Sequence, residues 1–280
     1  VNAPGSLACA AIGVALAGCA STVSPAAPDH SSPPARFLLT FDDGPSHFTS
    51  YNPTRIILDT LADNRVQSGI KAVFFVQTRA RNSGGGALGH ALLERTRDEG
   101  HVLALHSGSP RGHLNHRRMA PADLAASLRD GISDLQALTG KPPSLVRPTL
   151  WDWDARTRAA YQADGLAMLL TDINARDGKV YGWNMSLRRR SHLHAGLARV
   201  RDRAAGAEMP LQGGVLPVVV TFHDTNTFTA SHMEEYLQIL LQESARVGLP
   251  VAAPPFYNDA REIEEVALMR ARTGVYAAPP

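Results

Sequence analysis

Several short, unbroken apolar runs punctuate the chain, and chemistry-bearing polar residues stand where they end. The strongest is Val215 to His223, VLPVVVTFH; Phe37 to Phe41, Lys71 to Gln77 and Val102 to His106 are of the same kind. Runs of this length are too short for core helices, and their lack of alternation points to strands buried on both faces. Strands of that type belong to parallel sheets covered by helices. Helical spacing fills the intervals. A helix opens at Asn52-Pro53 and carries Ile56, Ile57, Leu58 and Leu61. Another runs from about Ala87 to Glu99. A third, from Pro121 to Leu138, puts Leu124, Leu128, Ile132, Leu135 and Leu138 on one face. Shorter signals place strands at 145–147 and 167–171 and helices at about 155–164 and 231–247, while 178–214 reads as a helix with long loops. Alternating β and α units in a chain of 280 residues, 44% of them hydrophobic, predict one large α/β domain.

The polar residues behind the runs are Asp42-Asp43, His106, Arg147, Asp172 to Asp177 and His223-Asp224. In a parallel barrel the C-terminal strand ends converge on one rim, where active sites are built. Thr40 to Ser46, TFDDGPS, is the sharpest case. Adjacent carboxylates at a strand end repel each other and desolvate at a cost unless a cation or proton lies between them. Two histidines and a carboxylate suit Zn²⁺ or a similar ion, and Asp43 and His106 are natural members of such a set. Asp42 is then free to act as a base, His223 to protonate a leaving group, and Arg147 to orient the base.

The order and spacing of TFDDGPS at 40–46, DEGH at 98–101, His106-Ser107, TGKPPSLVRP at 139–148 and FHD at 222–224 resemble the polysaccharide deacetylases of carbohydrate esterase family 4, the NodB homology domain, over roughly residues 36 to 250. The resemblance implies a distorted (β/α) barrel of about seven parallel strands. It also implies hydrolysis of acetyl groups on sugars with one divalent ion, Zn²⁺ before Co²⁺ or Ni²⁺. Carried over by position, Asp42 matches the catalytic base, Asp43 the carboxylate ligand, His106 the first histidine ligand and Arg147 the arginine that tunes the base. His223 matches the general acid, and Asp177 the aspartate that orients it.

The departures are local. Pro110 stands where the second histidine ligand is expected, four residues after His106. Counting back from the helix start at Pro121 selects His113, through a three-residue insertion, with His116 in reserve. Thr149-Leu150-Trp151 replaces the usual Pro-Tyr-Gly, so the oxyanion contact falls to the backbone N–H of Leu150, with Trp151 beside it. Gly178 follows Asp177 where a tryptophan is usual; Trp151, Trp153 and Trp183 are the side chains that could rebuild that wall. Asp172 is read as a site residue or a turn cap, and Asp224 as fixing the turn after the last strand or positioning a neighbour. His90 and His101 are expected at surface or cap positions, and His192, His194 and His232 in solvent.

The first residues raise a separate expectation. Leu7 to Ala20 is an apolar stretch of signal-peptide length, and Leu16-Ala17-Gly18-Cys19 resembles a bacterial lipobox, with Cys19 as the lipidated residue. Residues 20–35, rich in Ser, Pro and Ala, read as a disordered tether, 36–260 as the catalytic domain and 261–280 as a C-terminal tail. The chain is thus expected to be exported and lipid-anchored at a membrane of the cell envelope, facing an acetylated polysaccharide such as peptidoglycan or poly-N-acetylglucosamine. Cys9 and Cys19 are the only cysteines, so the mature chain forms no disulfide. A net charge of +2 argues against a nucleic-acid partner.

Overall fold

The computed structural model describes residues 32–178 and 186–276. Cys19, the apolar leader, residues 20–31 of the expected tether and Trp183 lie outside them. In chain order the elements are β1 (Ala35–Asp42), α1 (Pro53–Ala62), β2 (Ala72–Gln77), α2 (Ala87–Asp98), β3 (Val102–Ser107), α3 (Pro121–Thr139), β4 (Leu145–Val146), α4 (Ala155–Ala163), β5 (Ala167–Met168), β6 (Ile173–Asn174), α5 (Arg189–Ala205), β7 (Leu216–His223), α6 (Thr227–Ser231), α7 (Met233–Val247), β8 (Val251–Phe256) and α8 (Ala260–Thr273). All strand pairs are parallel, in the order β5-β4-β3-β2-β1-β7-β6. β8 pairs with the first residues of β1, before the register with β2 begins at Leu39. The two ends of the path, β5 and β6, are joined by residues 169–172 alone, so the sheet curls until its edges meet in the chain. This is the distorted (β/α) barrel expected from the sequence.

Side-chain alternation along the strands divides the molecule in two. Phe37, Leu39 and Phe41 of β1, with Phe74, Leu103, Leu105, Val218 and Phe222, face outward into a core shared with the helices. Leu38, Val73, Phe75, Ala104 and Val219 face inward. Continuing the inward set along each strand gives Leu38–Thr40–Asp42, Ala104–His106 and Val219–Thr221–His223. The barrel interior therefore grades from an apolar floor to a polar rim, and the rim holds the residues singled out by the sequence.

The floor is closed by α8, which corrects the expected tail at 261–280. Ile263, Val266 and Ala267 pack into the inner core beside Leu38 and Val219, Arg270 is fully buried, and Tyr276 beyond the helix is buried too. Asp172 belongs to this floor: its carboxylate pairs with Arg270 at 2.6 Å and accepts the Val219 N–H at 2.8 Å. It is a structural residue of the β5–β6 seam.

The helix signals hold at α1, where the Asn52 side chain accepts the Arg55 N–H at 3.0 Å and Pro53 occupies the first turn. The helix expected at 231–247 is α7, which begins two residues later and ends where expected, and a short extra helix, α6, precedes it. Asn226 caps the short α6, and His232 separates it from α7. His101, expected at the surface, is instead buried beside β3, where its Nδ1 accepts the Ala72 N–H at 3.1 Å and Phe74 packs edge-on. His90 is exposed, and His194 is half-exposed against Glu243. His192 is only partly exposed and its Nδ1 is buried, so it too departs from the solvent position expected of it.

Candidate active site

Asp42 and Asp43 end β1 in different ways. Asp42 is the last inward residue of the strand and is 2% exposed. Asp43 adopts φ 74°, the left-handed region, so the chain bends there and its carboxylate enters the same cleft as that of its neighbour. The bend is held from β2: the Gln77 N–H donates to Gly44 O and the Gln77 side-chain amide to Asp43 O, both at 2.9 Å. Glycine is required at 44, because a Cβ there would stand 2.0 Å from Asp224 Oδ2. Asp224 in turn accepts the Thr54 hydroxyl at 2.9 Å and is buried, which pushes its pKa up to about 7. Asp224 thus ties the end of β7 to the start of α1 through Thr54, whose hydroxyl also accepts the Ser46 N–H at 2.8 Å.

Arg147 follows β4 and lies fully buried, sandwiched between the rings of Phe75 (4.1 Å) and Trp151 (5.1 Å). Its Nη1 donates to Asp42 Oδ1 at 2.8 Å and to Thr40 at 2.7 Å, and its Nε and Nη2 donate to the carbonyls of Leu169 and Leu170. Every branch of the guanidinium is thereby engaged. Burial draws its pKa down, and the charge and hydrogen bond of Asp42 oppose that.

His106, from β3, has its Nδ1 3.0 Å from Arg147 O, which leaves Nε2 toward Asp43 Oδ1 at 3.2 Å. His113 Nε2 stands at the same 3.2 Å from that oxygen. Asp43 Oδ1 is nonetheless buried and makes no hydrogen bond. Two imidazoles and an unsatisfied carboxylate oxygen converging on one point form a donor set for a divalent cation, and the three ligand atoms lie within 4.8 Å of one another. The residues present fit such an ion. Burial alone would raise the Asp43 pKa; the neighbouring imidazoles, His106 foremost and then His113 and His223, hold it well below the usual carboxylate range. The reserve histidine is elsewhere: His116 is buried with its Nδ1 2.7 Å from the Tyr161 hydroxyl, and burial pushes its pKa down to about 3.

β1 and β7 lie side by side in a register that sets His223 next to Asp42. The His223 Nδ1 is 2.8 Å from Asp177 Oδ1, and its backbone N–H donates to Asp177 Oδ2 at 2.9 Å. Thr229 donates to the same Oδ2 at 2.7 Å, and Asn226 to the Asp177 carbonyl. Burial would lower the pKa of His223, but the charge and hydrogen bond of Asp177, with the charges of Asp43 and Asp42, push it up to about 10. The ring is cationic at neutral pH.

These groups open into a cleft of about 640 Å³, lined also by Leu150, Trp151, His47, Phe48 and Arg176. Leu150 (φ 58°) and Trp151 (φ 56°) are consecutive left-handed residues, and this bend exposes Leu150 to 55% at the cleft mouth. Trp153 packs against the inner core and does not line the cleft. Gly178 lies against the His223 ring: a Cβ there would be 3.1 Å from His223 Cε1. Thr40, Gln77, Asn226, Thr229 and Arg176 were not anticipated. Gln77 carries the same strand-end signal as His106, and Arg176 falls within the stretch Asp172 to Asp177 without a role of its own, whereas Thr229 stands in a stretch with no distinguishing pattern.

A parallel (β/α) half-barrel whose rim joins two carboxylates, an imidazole pair placed to hold a cation and a third imidazole defines a class of hydrolase-like sites. The sequence profile of the polysaccharide deacetylase family matches residues 29–169, and the chain belongs to that family. A chitin deacetylase from Pestalotiopsis sp. is 28% identical over 144 residues, 51% of this chain and 44% of that protein, so the likeness spans less than half the relative's length. Among solved structures, the chitin deacetylase of Colletotrichum lindemuthianum matches with a TM-score of 0.57 at 20% identity, covering 80% of this chain and 92% of that one. A family 4 carbohydrate esterase from Streptomyces lividans, in complex with acetate, matches with a TM-score of 0.55 at 20% identity over 89% and 100%. At that identity the structural likeness speaks for the fold.

Proposed function

We propose that the protein hydrolyses acetyl groups from an N-acetylated polysaccharide, using one divalent ion, Zn²⁺ before Co²⁺ or Ni²⁺. The observation that carries this reading is Asp43 Oδ1, a buried oxygen with no hydrogen bond, 3.2 Å from two imidazole nitrogens. Asp43, His106 and His113 would hold the ion. When bound, such an ion polarises an acyl carbonyl and acidifies water. Asp42, oriented by Arg147, takes a proton from the attacking water, whose oxygen bonds to the acetyl carbon. The backbone N–H of Leu150 is the donor toward the developing oxyanion, and Trp151 flanks it. His223, protonated through Asp177, gives its proton to the sugar nitrogen as the carbon–nitrogen bond breaks, releasing acetate and an amine.

The test is acetate release by the metal-loaded protein from N-acetylglucosamine oligomers, peptidoglycan and acetylated xylan, with and without chelator. Chelator-sensitive release from an N-acetylated polymer is expected. Release from xylan alone would replace the amide reading by an esterase, and release from none would overturn both. The leader motif extends the proposal: Cys19 is acylated and anchors the enzyme at a membrane of the cell envelope, close to its polymer. Metabolic labelling with a fatty acid should mark the wild type and not Cys19→Ser; an unlabelled, membrane-free wild type would contradict it.

A further inference from the structure

Arg176 lines the cleft, yet the reaction above gives it no task. Among the described residues no carboxylate lies within ion-pair range of its exposed guanidinium; its one hydrogen bond is made by the backbone, the N–H donating to Asn174 Oδ1 at 2.7 Å. The backbone is unusual as well. Arg176 sits at φ 54°, a left-handed conformation that is uncommon without glycine. It is held there from both sides, by Asn174 before it and by Asp177 after it. Asp177 is itself immobilised by His223, Thr229 and Asn226. A mobile surface arginine needs no such support.

The position of this segment sets what the arginine can meet. Gly178 lies against the His223 ring, so 176–178 runs along the side of the cleft where the leaving nitrogen receives its proton. On the reading above that nitrogen is carried by the sugar, so this side of the cleft comes close to the sugar ring. The acids nearest the chemistry are already engaged, Asp42 by Arg147 and Asp43 by the imidazole pair, which leaves the guanidinium open to an outside anion. A guanidinium fork matches a carboxylate with paired N–H···O bonds.

We infer that Arg176 reads a carboxylate on the glycan, at the sugar being deacetylated or its neighbour, so that the substrate is an acidic N-acetylated polysaccharide. This rests on the deacetylase reading above and narrows it. The carboxylate can come from a lactyl ether of the muramic acid kind or from a uronic acid in the chain.

The experiment measures binding with the metal-loaded Asp42→Asn protein, so that binding is separated from turnover. Probes are muramic-type N-acetylated oligomers, uronate-containing N-acetylated oligomers, and each of these with its carboxyl reduced to the alcohol. One acidic probe should bind about five- to tenfold more tightly than its reduced partner, as for an exposed charge-assisted contact, with the margin shrinking as salt rises. Whichever acid shows the margin identifies the source. Adding Arg176→Gln should bring the ratio close to one, and Arg176→Lys should restore part of it. Equal binding of acidic and reduced probes, or a margin that survives Arg176→Gln, overturns the inference even if acetate is released. An Arg176-dependent margin in a protein whose wild type releases no acetate from any probe upholds the carboxylate site and removes the deacetylase reading instead.

Discussion

Two buried arginine–aspartate pairs bracket the seam where the barrel's edges meet, and they are built differently. At the rim, Arg147 binds Asp42 and also caps the carbonyls of Leu169 and Leu170. At the floor, Arg270 binds Asp172 at 2.6 Å, while its Nε and Nη1 find no hydrogen-bond partner among the described residues. The rim pair is fully satisfied and leaves one carboxylate facing a cleft; the floor pair is sealed on all sides by α8 and the inner core. Buried ion pairs give little net stability against apolar replacements, yet breaking one half is costly. The floor pair is therefore a fastening that apolar or neutral groups could replace, and the rim pair is retained for what Asp42 does.

Arg147→Met should have the largest effect, because it strands Asp42 and two carbonyls at once. A loss of about 3–5 kcal/mol in urea unfolding is expected, with acetate release abolished in the folded fraction. Arg270→Met alone should cost a similar or slightly smaller amount, about 3 kcal/mol, but leave acetate release per folded molecule intact. Pairing it with Asp172→Asn should recover most of that stability, whereas Asp42→Asn cannot rescue Arg147→Met in activity. A double floor variant that stays as unstable as the single one would mean the two pairs are alike after all.

An effect that is small near neutral pH and grows in acid comes from a buried histidine, His101. Burial, with the charges of Lys71 and Arg95, pushes His101 down from 6.5 to about 3. The unfolded chain takes up this proton below about pH 6.5 and the folded chain does not, so the stability is present above that pH and is lost as pH falls toward 3. The slope is up to about 1.4 kcal/mol per pH unit. Unfolding curves at a series of pH values should show a shallower acid slope in His101→Gln, and an unchanged slope would refute the assignment. The smallest effect is at α1, where Asn52→Ala should cost about 1 kcal/mol of thermal or urea stability by removing the cap.

Much of the rim was legible because strand ends carry their polar residues in sequence order, and His113 emerged by counting back from the start of α3. α8 was hidden for a physical reason. Its buried face, Ile263, Val266, Ala267 and Arg270, follows helical i, i+3, i+4, i+7 spacing, but an arginine takes the last place and breaks the apolar stripe. Arg270 is tolerable there only because Asp172, 98 residues earlier in the chain, meets it in the core. Thr229 was invisible for a similar reason: its role arises from the meeting of separate segments at Asp177, which no local pattern records.

The most direct test compares ion binding and turnover in Asp42→Asn and Asp43→Ala. Zn²⁺ content and affinity of each purified protein would be measured beside acetate release. The account predicts that Asp42→Asn binds one ion as the wild type does and loses release, while Asp43→Ala loses both. An Asp43→Ala protein that keeps the ion at wild-type affinity, or an Asp42→Asn protein that keeps turnover, would contradict the division of labour between the two adjacent carboxylates.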